Sequence, residues 1–272
     1  MPHWTLDDIP WQRFDRAAID PELLRVVKAA SLVERNGSDY AQYLCNVFAD
    51  DPEVQAAARR WGAEEVQHGL ALGRWAALAD PDFDAAAAAA RFSAGFRVPL
   101  KAAASVRGSR AGELIARCVV ETGTSSYYAA LGEATSEPVL KEICRRIAAD
   151  ELRHYKLFYD HMKRYLVADG LGFWRRLWVA LGRIAESEDD ELAFAYHAAN
   201  DDNARPYDRR RAARAYARRA YALYRRHHVE RAVAMLFKAV GLKPQGRLSR
   251  LTVRLAWWSV RHRSGRLARA AA

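Results

Sequence analysis

A chain of 272 residues, 51% of them hydrophobic and with only 15 Gly and 9 Pro, can bury a large core and suits helices throughout. No apolar run reaches the roughly eighteen residues of a bilayer span, the acidic start through Asp7 and Asp8 shows no signal-peptide pattern, and three cysteines without C-x-x-C spacing argue against a disulfide framework. The net charge of +10 is uneven: residues 205–272 hold 19 of the 43 Lys+Arg and only Asp208 and Glu230 of the acids, net +17, while the preceding 204 residues carry 24 basic and 31 acidic side chains, net −7.

Residues 1–20 contain Trp4, Pro10, Trp11 and Phe14 without a sustained period and read as an arm that lays its aromatics on the body. Asp20-Pro21-Glu22 combines a cap, a first-turn proline and an early acid, and predicts a helix to about Phe48. Asp51-Pro52-Glu53 repeats the signal for a second helix ending near Leu78, before Asp80-Pro81. Residues 80–107 form a long connection with a short alanine-rich helix at 84–94, broken by Pro99. A third helix is expected at 109–134, and Ser136-Glu137-Pro138 opens a fourth that ends near Gly170. Two helix pairs over 21–170 are thus joined by one long crossover. Accessory helices are expected within 171–204, at 171–186 and 188–203, then basic helices within 205–272, at 207–240 and 246–268.

Chemistry concentrates in the four long helices. Glu65 and His68 in the second, and Glu151 and His154 in the fourth, are three residues apart, so each pair shares a helix face. The first and third helices each offer one acid among apolar neighbours, Glu34 and Glu121. Glu121 follows Glu34 by 87 residues, and Glu151 and His154 follow Glu65 and His68 by 86, so every candidate has a counterpart in the other half. Hard cations prefer oxygen, four carboxylates balance two divalent ions, and one imidazole per ion completes a nitrogen-and-oxygen shell. The set therefore predicts a carboxylate-bridged di-iron site, with manganese as the alternative at one position.

Glu64 and Asp150 each lie four residues before a ligand histidine and are candidates to orient an imidazole across the site, against the alternative of solvated helix acids. Thr124 and Ser125 put hydroxyls three and four residues after Glu121, to meet the site or simply the helix backbone. Trp61 and Tyr128 are candidate electron carriers or buried core aromatics. Cys45, Cys118 and Cys144 point inward as small hydrophobes in a reducing cytoplasm. His161, His197, His227, His228 and His262 show no partner pattern.

Trp61-Gly62-Ala63-Glu64-Glu65-Val66-Gln67-His68-Gly69 resembles the W-x-A-E-E-x-x-H-G segment of the soluble acyl-carrier-protein desaturases, and Ile147-Ala148-Ala149-Asp150-Glu151-Leu152-Arg153-His154 resembles their I-A-A-D-E-x-R-H segment. Thr124 matches that family's threonine beside the metals. The resemblance covers residues 22–168 and implies an all-α, ferritin-like four-helix bundle with ligands Glu34, Glu65, His68, Glu121, Glu151 and His154 and a catalytic Thr124.

By that resemblance the expected activity is an oxygen-activating oxidoreductase that desaturates or hydroxylates an acyl chain, with electrons from an external donor protein. The alternatives are a rubrerythrin-like peroxidase or ferroxidase, or a non-catalytic iron-handling protein. The basic tail fits an acidic acyl carrier protein. It also fits an anionic membrane surface through Leu248–Leu267 with Trp257-Trp258. Nucleic acid is disfavoured because no recognition motif is present. A cytoplasmic homodimer, peripheral to the membrane in the lipid-binding case, is the expected form.

Overall fold

The computed structural model describes residues 3–186, 190–201 and 206–269. Among them the chain is all-helical, with α1 Pro21–Arg35, α2 Gly37–Val47, α3 Pro52–Ala79, α4 Ala85–Gly95, α5 Arg110–Ala134, α6 Pro138–Ala168, α7 Phe173–Ala185, α8 Asp190–Asn200, α9 Arg209–Leu223, α10 Arg226–Val240 and α11 Arg247–Arg269. The expected starts are capped as the sequence demands: Asp20 accepts from Glu22 N–H, Asp51 from Glu53 and Val54, and Glu137 from Val139 and Leu140. Positions 188–189 and 202–203, at the ends of the expected 188–203 helix, lie outside the described residues, as do 204–205.

Two expected helices are broken. The first stops at Arg35 and restarts at Gly37, with Asn36 between them. The cause is tertiary: a Cβ on Gly37 would stand 2.3 Å from Cβ of Glu65, and one on Gly62 would stand 2.5 Å from that of Ala41, so α2 approaches α3 more closely than larger residues allow. The basic helix expected at 207–240 is likewise two, because Tyr224 and Arg225 are extended and Arg225 N–H donates to His228 Nδ1 at 3.0 Å to open α10.

Helices α1 and α2 pack along α3, and α5 packs along α6, which also meets α3. Two apolar clusters fill this body. One holds Val27, Leu32, Leu72, Trp75, Leu131 and Ile143; the other holds Leu44, Phe48, Trp61, Ile115, Phe158 and Met162. The basic segment packs on the same clusters. Ala212 and Ala220 of α9 enter the first, Ala239 and Val240 of α10 enter the second, and Arg218 and Arg219 pair with Glu22 of α1 at 2.8 Å. No helix among the described residues is long and apolar enough to cross a membrane.

Candidate metal centre

The seam between the two apolar clusters is where the chain changes character. On α3, Val54, Ala58 and Trp61 belong to one cluster and Ala71, Leu72, Trp75 and Ala76 to the other, with Glu65 and His68 between. Glu121 on α5 and Glu151 and His154 on α6 sit at the same level, and Glu34 closes it from the end of α1. All six side chains are buried.

They form two ligand sets: Glu34, Glu65, His68 and Glu151, and Glu65, Glu121, Glu151 and His154. In each set one ligand atom per residue lies within 4.8 Å of all the others. Glu65 and Glu151 belong to both. His68 Nδ1 stands 3.3 Å from Glu151 Oε1 and 3.8 Å from Glu34 Oε2, while His154 Nδ1 stands 3.0 Å from Glu65 Oε1 and 3.6 Å from Glu121 Oε2. Both Nδ1 atoms, both Glu121 oxygens, Glu65 Oε1 and Glu151 Oε1 are buried without a hydrogen-bond partner. Orphaned donor atoms converging from α3, α5 and α6 are what a bound cation would satisfy, so these residues fit a metal.

The outer nitrogens are held reciprocally. His68 Nε2–H, from α3, donates to Asp150 Oδ2 on α6 at 2.9 Å; His154 Nε2–H, from α6, donates to Glu64 Oε2 on α3 at 2.8 Å. Each imidazole thus turns Nδ1 inward, toward the shared carboxylates. Burial raises the Asp150 carboxyl, but His68, Arg153 and Trp4 outweigh it and hold it at about 2. Asp150 and Glu64, the acids expected to reach an imidazole across the site, each lie within hydrogen-bond distance of one on the opposite helix.

Burial and neighbouring charge together shift Glu34, Glu121 and both histidines toward their protonated forms, while Glu65 and Glu151 are shifted toward the carboxylate. Burial, reinforced by the Glu65 carboxylate, pushes Glu34 well above the usual carboxylate range. Burial also raises Glu121, with Glu151 and Glu65 adding repulsion. Around the rings, burial disfavours the imidazolium, yet Asp150, Glu151 and Glu34 hold His68 protonated well above its ordinary range, and Glu121, Glu151 and Glu64 do the same for His154.

Thr124 is half-buried beside the exposed Gly123, and its hydroxyl donates to Glu151 Oε2 at 2.7 Å. Tyr128 O–H donates to Glu34 Oε1. Ser125 instead bonds the backbone carbonyl of Thr122 at 3.2 Å. Trp61 is a core aromatic in edge contact with Phe158. The three cysteines are free and buried, and burial raises all three thiols.

Three features escaped the sequence reading. Trp4 of the arm stacks on His68, with centroids 5.8 Å apart and planes 8° apart, and its Nε1–H donates to Asp150 Oδ2 at 2.7 Å. Arg153 bridges the outer acids, at 2.5 Å from Asp150 Oδ1 and 3.2 Å from Glu64 Oε2. His227 and His228 meet Glu133 at 2.9 and 3.2 Å. His228 Nδ1 accepts from Arg225 N–H, so only its Nε2 is turned toward Glu133 at the start of α10.

No family model matches the chain, and a comparison with curated proteins returns no match.

Proposed function

We propose that this chain is a ferritin-like, carboxylate-bridged di-iron oxidoreductase that attacks an unactivated C–H bond, with an acyl chain as substrate class. The observation that carries the reading is the sharing of Glu65 and Glu151 by two ligand sets, each closed by one histidine Nδ1. A structural ion-pair cluster would set its acids against Arg or Lys. Here Arg153 instead contacts the outer acids Asp150 and Glu64, and the inner oxygens of Glu121 stay orphaned.

Iron bound by these residues would supply the oxidising equivalents, manganese being the alternative at one position, with electrons from an external donor protein. The chain's own residues would do the rest. Glu64 and Asp150 fix the imidazole tautomers, the two apolar clusters keep bulk water away, and Thr124 holds a proton against Glu151 on the side nearest solvent. The W-x-A-E-E-x-x-H-G and I-A-A-D-E-x-R-H resemblance supports the acyl substrate class.

The test is anaerobic loading with ferrous iron, a metal count, then oxygen with and without an acyl thioester. Two ions per chain, substrate-accelerated turnover and a desaturated or hydroxylated product are expected. A count of one or none rejects the di-metal reading. Rapid iron oxidation indifferent to the acyl chain marks a ferroxidase or peroxidase and rejects the substrate class.

A further inference from the structure

Helix α11 buries one face and leaves an unusual one in water. Ser249, Val253, Trp257 and Val260 face α10, where Val229, Val233 and Phe237 complete a small apolar cluster. Opposite that face, at helical spacing of three, four and three, stand Leu248, Leu251, Leu255 and Trp258, which are 52–65% exposed. A helix that packs on a body normally puts charge there; this one puts leucine and tryptophan there and moves its charge to the flanks. Arg247, Arg250, Arg254 and Arg261 are exposed along one flank, and no acidic residue occurs from Arg231 to the last residue.

Helix α7, which packs on α10 as α11 does, repeats the pattern. Its buried contact is Ala180, while Trp174 and Trp178 are 77% and 79% exposed, with Leu181 beside them. Arg175, Arg176 and Arg183 lie on the same helix, and it carries no acid. Beside the α11 stripe lies a groove of about 440 Å³, lined by Arg226 of α10 and by Arg254, Trp257, Trp258, Arg261 and Arg269 of α11.

We infer that α11 and α7 form a docking surface for an anionic lipid bilayer, on which the protein lies without spanning it. Apolar side chains displayed one turn apart, tryptophans among them, insert to the depth of the headgroup boundary, and flanking guanidiniums meet lipid phosphates. The groove lined by arginine and indole has the chemistry for a phosphate-bearing headgroup with its glycerol on an aromatic wall. Charge complementarity selects the occupant: these helices are cationic, and anionic lipid supplies both the opposite charge and an apolar layer for the leucines. An acidic soluble protein would answer the arginines and leave the Leu248–Trp258 stripe uncovered. The lipid contact stands independently of the di-metal reading.

The measurement is co-sedimentation of the full chain with vesicles of phosphatidylcholine alone or mixed with phosphatidylglycerol, at low and high salt. Partitioning should favour the anionic vesicles by at least about tenfold and weaken with salt, with a blue shift of tryptophan emission. The double variant L251E/L255E should lose about tenfold or more of that partitioning while its helicity and metal content match the parent, since both residues lie in water. If that variant misfolds, R254E/R261E and Trp178→Ser carry the same expectation. The inference is overturned if the folded parent ignores anionic vesicles, or if folded stripe and arginine variants bind as well as the parent. It is equally overturned if the parent self-associates through this stripe, or holds an acidic carrier protein there, without binding lipid.

Discussion

His68 Nε2 lies 2.9 Å from Asp150 Oδ2, and that single contact sets which nitrogen of a buried imidazole faces the site. Asp150→Asn removes the charge that secures this tautomer. Binding of the ion held by Glu34 and His68 should weaken by about 10–100-fold, with the ion held by Glu121 and His154 less affected. Glu64→Gln should show the reverse preference. Competition titrations with a chelator on both variants measure this; identical losses at both positions would contradict the crossed arrangement.

Ligand substitutions should rank by sharing. Glu65→Ala and Glu151→Ala each remove a carboxylate common to both sets and should cost both ions, whereas Glu34→Ala and Glu121→Ala should each leave one. Glu53→Ala, on the surface of α3, should bind two. Elemental analysis of the five proteins decides the order.

Acidification should weaken metal binding. His68 and His154 are held protonated well above their ordinary range in the metal-free protein, so uptake must expel those protons. A raised imidazole contributes stability fully below its unfolded value and loses it as pH climbs through the folded one. The metal-free protein should therefore lose this contribution on going alkaline, while the loaded protein, its imidazoles already deprotonated at Nδ1, should not. The metal-induced rise in Tm should grow with pH above the ordinary histidine range, and calorimetry in buffers of different ionisation enthalpy should register proton release.

Much of this site was legible in the sequence because a helix converts spacing into direction: Glu65 with His68, and Glu151 with His154, need only a regular helix to converge. The caps at Asp20, Asp51 and Glu137 were legible for the same local reason. What could not be read depends on contacts remote in the chain. Trp4 meets Asp150 across 146 residues from a segment without periodicity, and His227 meets Glu133 across 94. The break at Asn36 arises from the space Glu65 leaves for Gly37, and the break at Tyr224 has neither proline nor glycine to announce it. Composition marked a charge boundary near Arg205, whereas apolar packing continues across it.

Gly37→Ala should be costly out of proportion to one methyl group. The added carbon meets Glu65 Cβ at 2.3 Å, so overpacking of about 1–3 kcal/mol should accompany impaired metal uptake. Gly123→Ala, with nothing within 4 Å of the new atom, should be neutral or stabilising by up to about 1 kcal/mol through helix propensity. Thermal melts should show a lowered midpoint for the first variant and an unchanged or raised one for the second.

Shortening the chain should reveal which basic helices the core needs. A protein ending at Gly246 keeps α9 and α10 on the two apolar clusters and should stay folded and metal-competent. One ending at Pro206 uncovers Tyr127, which packs on Tyr216 of α9, and Tyr155, whose hydroxyl donates to Met235 of α10 at 2.8 Å. It should melt at lower temperature and bind a hydrophobic dye.

Crossed anchoring also restricts how the sequence can vary. Glu64 and Glu65 are adjacent on α3, as Asp150 and Glu151 are on α6, yet the first acid of each pair serves the imidazole of the opposite helix while the second enters the shared cluster. Inserting or deleting one residue between positions 61 and 69, or between 147 and 154, would turn neighbouring side chains by about 100° and misdirect ligand and anchor on both helices together. The 80–107 connection contributes no member of either set, though Phe83, Ala88, Phe92 and Val98 tie it into the core. In any descendant of this chain the two helical stretches can thus change only by exchange of one residue for another.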